Sequence, residues 1–192
     1  MSDKIPASPL SPRGRWLVAA NLLGLIGLWL LALAFYFPLP QTIPVHFDLA
    51  GNPTRYGSKF SLLLLPAAFS IAPAIILLAT RFRFTLVNDY PYLVNLPAFF
   101  ATHLPKLSPE RQSWWINRLF EANLALGAGL TAIMLIIEWF ILRGTVSGEI
   151  SGWITGFILL AVFVPIVVYV LYLRRLGREM AQEVMLRLTP SR

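Results

Sequence analysis

The residue types that could do chemistry crowd into one stretch, IPVHFDLAGNPTRYGSK, Ile43–Lys59. It places an imidazole (His46), a carboxylate (Asp48), two fixed cations (Arg55, Lys59) and a phenol (Tyr56) within fourteen residues. His46-Phe47-Asp48 sets two metal-ligating types on one face of an extended strand. A zinc site generally needs three or four protein ligands, and the only other histidine, His103, lies in a different connection, so no metal site is expected. Ser58 with His46 is the only nucleophile–base pair in the stretch. No oxyanion-hole signature, Gly-rich phosphate loop or H-E-x-x-H accompanies it, and the chain has no cysteine. No catalytic residue and no cofactor are therefore assigned, and the expectation is a protein that is not an enzyme. Two readings of the polar residues stay open. In one they hydrogen-bond to each other and hold the loop, as polar groups near a bilayer must. In the other, His46, Asp48, Gly51, Asn52, Arg55, Tyr56 and Lys59 form a surface for an external ligand, with His46 able to make binding respond to mild acid.

The surroundings of this stretch are oily. Of 192 residues, 57% are hydrophobic and 13% charged, and mean hydropathy is +0.67. Soluble domains carry about 25% charged residues, so the surface is expected to face lipid. The net charge of +7 comes from Lys and Arg at the borders of apolar runs, where anionic headgroups rather than nucleic acid are the natural partners. Four segments approach the roughly 20 apolar residues that a crossing requires. They are Trp16 to Phe37, Phe60–Thr80, Leu119–Leu142 and Gly152–Leu173. The second carries Pro66 and Pro73, which should bend it. In the third, Glu121 and Glu138 enclose an uncharged core of 16 residues.

Thirteen of the sixteen basic residues fall in the N-terminal tail, the second connection and the C-terminal tail. By the positive-inside rule both termini are cytoplasmic and the polar stretch faces outward. Ala32-Leu33-Ala34 resembles a signal-cleavage site, but the apolar run continues through Phe35, Tyr36 and Phe37, which favours an uncleaved anchor. The expected architecture is an all-α integral membrane protein of four transmembrane helices. A disordered cytoplasmic tail (1–15) precedes a helix–loop–helix module (16–80) with its signature loop at 38–59. A cytoplasmic or interfacial segment (81–118) then leads to a second helix pair (119–173) and a basic cytoplasmic tail (174–192). Ser108-Pro109-Glu110 reads as a helix start, and Leu96–Leu104 as a short interfacial helix.

Within the loop, Ile43, Val45, Phe47 and Leu49 alternate with Pro44, His46, Asp48 and Ala50, a period-two pattern that predicts a strand. Ala50-Gly51-Asn52-Pro53 predicts the turn and Thr54–Lys59 the returning strand. A four-residue turn would put Asp48 near Arg55 and His46 near Gly57. Glu138 and Asn21 are the intramembrane polar candidates. Glu138 lies about one turn from the span's end, within expected reach of headgroups, Arg143 or Lys59.

The string LPQTIPVHFDLAGNPTRYGSKF closely resembles the signature of a prokaryotic membrane family, domain of unknown function 1648. The resemblance rests on Leu39-Pro40, Ile43-Pro44, His46-Phe47, Gly51 with Pro53, and Tyr56-Gly57-Ser58-Lys59, and covers about Trp16–Thr80. It implies a multi-pass protein of a prokaryotic cytoplasmic membrane. Related architectures include immunity proteins against the sporulation-delay peptide toxin, which carry additional C-terminal helices; this chain has two further spans. The expected function is a non-enzymatic recognition or accessory protein, immunity- or signalling-related, with loop 43–59 as its binding surface. Its partners would be the lipid bilayer and a peptide or membrane protein at that loop, with no nucleic acid, and the chain is a candidate oligomer. The alternatives are a small ion-coupled transporter using Glu138, Asn21 and the Pro66/Pro73 bend, or a structural subunit of a larger membrane complex.

Overall fold

The structure is a computed structural model that describes residues 4–94 and 96–188. Seven helices and one two-stranded antiparallel hairpin are present among them. Helix α1 spans Pro12–Tyr36. Its start is set by Ser11, whose hydroxyl accepts from the Gly14 N–H at 3.1 Å, and by Pro12 in the first turn. The helix is apolar all round, so apolarity does not choose its buried side. Gly14, Asn21, Leu28 and Ala32 are its buried residues, a seam at near-heptad spacing.

That seam packs along α5 (Pro109–Ser147), whose start at Ser108-Pro109 is the one predicted. Close approach is set by glycines. A Cβ on Gly24 would fall 2.6 Å from Thr131 Cγ2, and one on Gly127 would fall 2.6 Å from Asn21 Oδ1. Helix α2 (Leu64–Arg81) follows a 3-10 turn, Lys59–Leu63. Pro66 lies in its first turn, where proline is tolerated, and Pro73 within it. Pro66, Pro73 and Thr80 are its buried residues, again seven apart.

Among the described residues, three helices are long and apolar enough to cross a membrane: Pro12–Tyr36, Lys59–Arg81 and Pro109–Ser147. The last, 39 residues, is about 58 Å long, well beyond the ~30 Å hydrocarbon core. The fourth expected span is divided into α6 (Gly152–Ala161) and α7 (Phe163–Leu188). The cause is Pro165, which lacks the N–H that would bond Ala161 and whose ring crowds that carbonyl.

The end of the bundle opposite the hairpin is built from the N-terminal arm, α3 (Arg83–Asp89), α4 (Ala98–His103), the start of α5 and the end of α7. Here the chain is more structured than its composition predicts. The segment from 174 to 188, expected as a basic tail, continues α7. Leu176, Met180 and Val184 are buried at four-residue spacing with Phe100, Leu104, Trp115, Ile116 and Phe120. Residues 189–192 of that expected tail lie outside the described residues. At the N-terminus, where a disordered tail is expected, residues 4–11 run as an arm across this end. Pro6 and Pro9 cannot donate hydrogen bonds, so the arm presents carbonyls, and these are taken by side chains of α3 and α5.

Candidate functional site

The hairpin pairs β1 (Thr42–Phe47) with β2 (Pro53–Ser58). Thr42 lies opposite Ser58, Ile43 opposite Gly57 and Pro44 opposite Tyr56; irregularities on both sides of His46 then set His46 opposite Arg55 and Phe47 opposite Pro53. The predicted neighbours therefore shift. His46 meets Arg55 rather than Gly57, and Asp48 does not meet Arg55. An alternation pattern cannot foresee such bulges, because each adds a residue to one strand only.

Asp48 instead closes the turn. Its carboxylate accepts from the Asn52 N–H at 2.8 Å and from the Asn52 side chain at 3.4 Å, and the Gly51 N–H donates to its carbonyl at 3.0 Å. The Asn52 N–H holds the Asp48 carboxyl below its ordinary value, since a bonded carboxylate resists protonation. Gly51 has φ of +91°, and a Cβ there would fall 1.5 Å from the Ile150 carbonyl oxygen. The Ile150 N–H also donates to the Gly51 carbonyl at 2.9 Å. The turn is thus clamped to the α5–α6 connection by a residue that sequence reasoning did not single out. Ile150 carries no polar side chain to mark it.

Lys59 is likewise engaged. Its Nζ donates to the Leu39 carbonyl at 3.2 Å and sits 4.7 Å from the Tyr36 ring centre. Ile43, Leu39 and Leu62 bury against Ala32 and Leu142, which seats the hairpin on the helix ends. Leu49, predicted on the apolar face, is 82% exposed because the strand ends at Phe47.

Of the seven predicted loop residues, Asp48, Gly51, Asn52 and Lys59 are engaged in holding the hairpin. Only His46, Arg55 and Tyr56 remain with no side-chain hydrogen bond or ion pair among the described residues. These three border a cleft of about 640 Å³ between the hairpin, α2 and α5. Its other walls include Ser61, Leu65, Ile141 and Thr145, and no acidic residue lines it. The Ser61 and Thr145 hydroxyls already donate to the Ser58 and Ile141 carbonyls. The Ser58 hydroxyl accepts from the Phe60 N–H at 3.2 Å, so the polar cleft side chains with no bond of any kind among the described residues are one guanidinium, one imidazole and one phenol.

The intramembrane candidates are placed deeper. Asn21 donates to the Leu17 and Leu124 carbonyls at 2.8 and 2.9 Å, joining α1 to α5, while its Oδ1 is buried without a partner. Glu138 is fully buried, and both carboxylate oxygens lack a hydrogen-bond partner. This differs from its expected reach to headgroups, Arg143 or Lys59. Its face of α5 is turned to α1 and α2, and Arg143 lies against the Trp139 ring instead.

At the opposite end a buried arginine is paired on every side, although Thr80 Oγ1 and His103 Nδ1 there are buried without a partner among the described residues. Arg83, which burial keeps below the usual arginine range, donates to Asn117 Oδ1 at 2.6 Å, to the Thr80 carbonyl at 2.9 Å and to the Ser8 carbonyl at 2.6 Å. Asn117 in turn donates to Ser8 Oγ and the Pro9 carbonyl, Ser113 to the Pro6 carbonyl, and Asn88 exchanges two hydrogen bonds with the Ile5 backbone. A second cavity of about 350 Å³ lies between α5 and α7. It is mostly apolar; of the polar groups beside it, the Tyr169 hydroxyl donates to Asn123 and Glu121 accepts from the Ser11 N–H, while the Arg13 guanidinium has no partner among the described residues.

A family model described as Domain of unknown function (DUF1648) matches residues 23–69, which run from mid-α1 through the hairpin into α2. A protein of Archaeoglobus fulgidus, described as an uncharacterized protein, is 43% identical over 180 residues, covering 94% of this chain and 98% of that protein. That likeness therefore takes in the second helix pair as well as the hairpin module. No solved structure matches the chain.

Proposed function

We propose that this chain, which belongs to the family described as Domain of unknown function (DUF1648), is a non-enzymatic recognition protein of a prokaryotic cytoplasmic membrane whose hairpin cleft takes up a negatively charged group of a peptide or membrane-protein partner. The observation that carries this reading is the set of free donors. Arg55, His46 and Tyr56 border one cleft and are unengaged, while Asp48, Asn52, Ser58 and Lys59 of the same loop each have a structural partner. A guanidinium beside donors in a partly enclosed cleft with no acidic lining suits a carboxylate or phosphate. An immunity- or signalling-related role fits such a surface.

In this reading the chain crosses the bilayer four times. Gly152–Leu173, although broken at Val162, has no charged residue and completes the fourth passage with α6 and the first half of α7. The clustering of basic residues at the arm end supports an orientation with both termini in the cytoplasm and the cleft outside.

Two measurements test this. Leu49→Cys in the naturally cysteine-free chain should react with an impermeant maleimide on intact cells, and Tyr92→Cys (78% exposed, at the other end) only after lysis; the reverse pattern would sink the orientation. A photoreactive residue replacing His46 should crosslink to a peptide or membrane protein, and lipid adducts alone would count against recognition. Stable co-purification that ignores Arg55 and depends on α7 would favour a structural subunit of a larger complex. A second reading, a small ion-coupled transporter, is favoured by one observation, the buried and unpartnered Glu138.

A further inference from the structure

We propose that Glu138 is a proton-binding site, loaded through the hairpin cleft. An intramembrane carboxyl with a purely structural task would be expected to bond a neighbour, because an unpaired buried acceptor forfeits its hydration with nothing in return and a buried lone charge forfeits far more. Glu138 bonds nothing, though it is fully buried. The layers on both sides of it are apolar: Leu135 packs against Gly27, and Leu142 clusters with Ala32 and Leu62.

A metal or alkali cation would need several further oxygen ligands, and no group of three His, Asp or Glu residues forms among the described residues. A proton needs a single oxygen and removes the charge on arrival. It is the occupant that this environment can hold.

The route is asymmetric. Glu138, Ile141, Leu142 and Thr145 share one helical face, and Ile141, about 4.5 Å further along the axis, already lines the cleft together with Leu62, Leu65 and Thr145. Along α5, Ile141 is therefore the next residue on the Glu138 face in the direction of the cleft. Toward the arm end lie the close contacts of Gly27 with Leu135, Gly24 with Thr131 and Gly127 with Asn21. From Glu138 to Gly127 is about 16 Å of helix.

The titratable and charged groups facing this region are few. Helix α1 offers only Tyr36, at its far end, and α2 none above Arg81. The hairpin and the 3-10 turn offer His46, Arg55, Tyr56 and Lys59, α5 offers Arg143, and the α5–α6 connection Glu149. All of them lie on the cleft side of Glu138.

Dicyclohexylcarbodiimide, which enters lipid and attacks protonated carboxyls, provides the test on the full-length protein in sealed membrane vesicles. The adduct is located by peptide mass spectrometry, and Leu49→Cys maleimide labelling reports which compartment the hairpin faces. We expect an adduct on Glu138 that is absent from Glu138→Gln. Its rate should fall by up to about tenfold per pH unit, as for one titrating carboxyl, and follow the pH of the compartment on the hairpin side while the other is held fixed. No adduct on Glu138 at any pH, a rate indifferent to pH, or a rate set by the opposite compartment would overturn the proposal. The pH is assigned by the measured side of the hairpin, so an inverted topology would defeat the outward orientation proposed above and leave this site standing.

Discussion

At the arm end, Arg83, Arg111 and Arg118 each finish on an acceptor. Arg83 holds Asn117 and two backbone carbonyls, Arg111 makes a bidentate pair with Glu183, and Arg118 pairs with Glu179. At the hairpin end, Arg55 finishes in an open cleft, and below it a glutamate is buried with nothing to bond. The two ends use the same residue types to opposite effect. Side chains whose bonds are all satisfied internally hold elements together; those left unsatisfied on a rigid frame are available to something else. The hairpin frame is rigid for local reasons, since Asp48, Asn52, Gly51 and Lys59 are engaged in the turn and its docking. Its unengaged residues are therefore presented rather than loose.

The sharpest way to break this contrast is at Arg83. Arg83→Ala removes three hydrogen bonds and leaves Asn117 Oδ1 and the Ser8 and Thr80 carbonyls short of a donor. A loss of about 3 kcal/mol is expected, read as a lower unfolding temperature in detergent and faster proteolysis of the first eleven residues. An unchanged unfolding temperature would mean the arm is only loosely held. Next is Gly51→Ala. The positive φ and the Ile150 oxygen leave no room for a Cβ, so the hairpin must lift from the α5–α6 connection at a cost of about 1–3 kcal/mol. Limited proteolysis should then cut within 43–58 while the helices stay intact.

Glu183→Gln is milder. Arg111, then Trp115, hold this carboxyl below its ordinary value of 4.5. A lowered carboxyl contributes stability fully above the unfolded value and loses it as pH falls through the folded one. The wild type should therefore lose part of its α5–α7 docking below about pH 4.5, and the variant, weaker by about 1 kcal/mol at neutral pH, should lose less on acidification. Equal acid sensitivity in both would assign the effect to other groups. Smallest in stability is Arg55→Ala, expected within about 0.5 kcal/mol of wild type because the side chain bonds nothing. Crosslinking from position 46 should nevertheless fall; a large destabilisation there would move Arg55 from the presented group to the holding group.

Much of this was legible in the residues. The three long apolar helices, the helix start at Ser108-Pro109 and the strand–turn–strand of 43–58 follow from hydropathy, capping chemistry and period-two alternation, which are local properties. Leu176, Met180 and Val184 at four-residue spacing also signalled a buried helical stripe, but the arginines among them drew the reading toward a tail. The course of the arm is not legible locally, because proline and serine composition argues for disorder only where no neighbour engages the backbone, and its partners lie some 75 to 110 residues away. The division of loop residues into engaged and free was not legible, because it depends on two irregularities around His46 and on a backbone carbonyl at Ile150.

By itself, then, the order of residues determined which segments are apolar enough for lipid, where helices begin, and that one polar loop holds most of the ionisable variety. Those properties depend on side chains a few positions apart. Only the packed molecule decided that Glu138 turns inward rather than to the headgroups, that Lys59 and Asp48 hold the hairpin, and that Arg55, His46 and Tyr56 are left to face a shared cleft. Each of those outcomes depends on which distant atom occupies the space opposite, and helices that are apolar on every side do not announce the face on which they will meet.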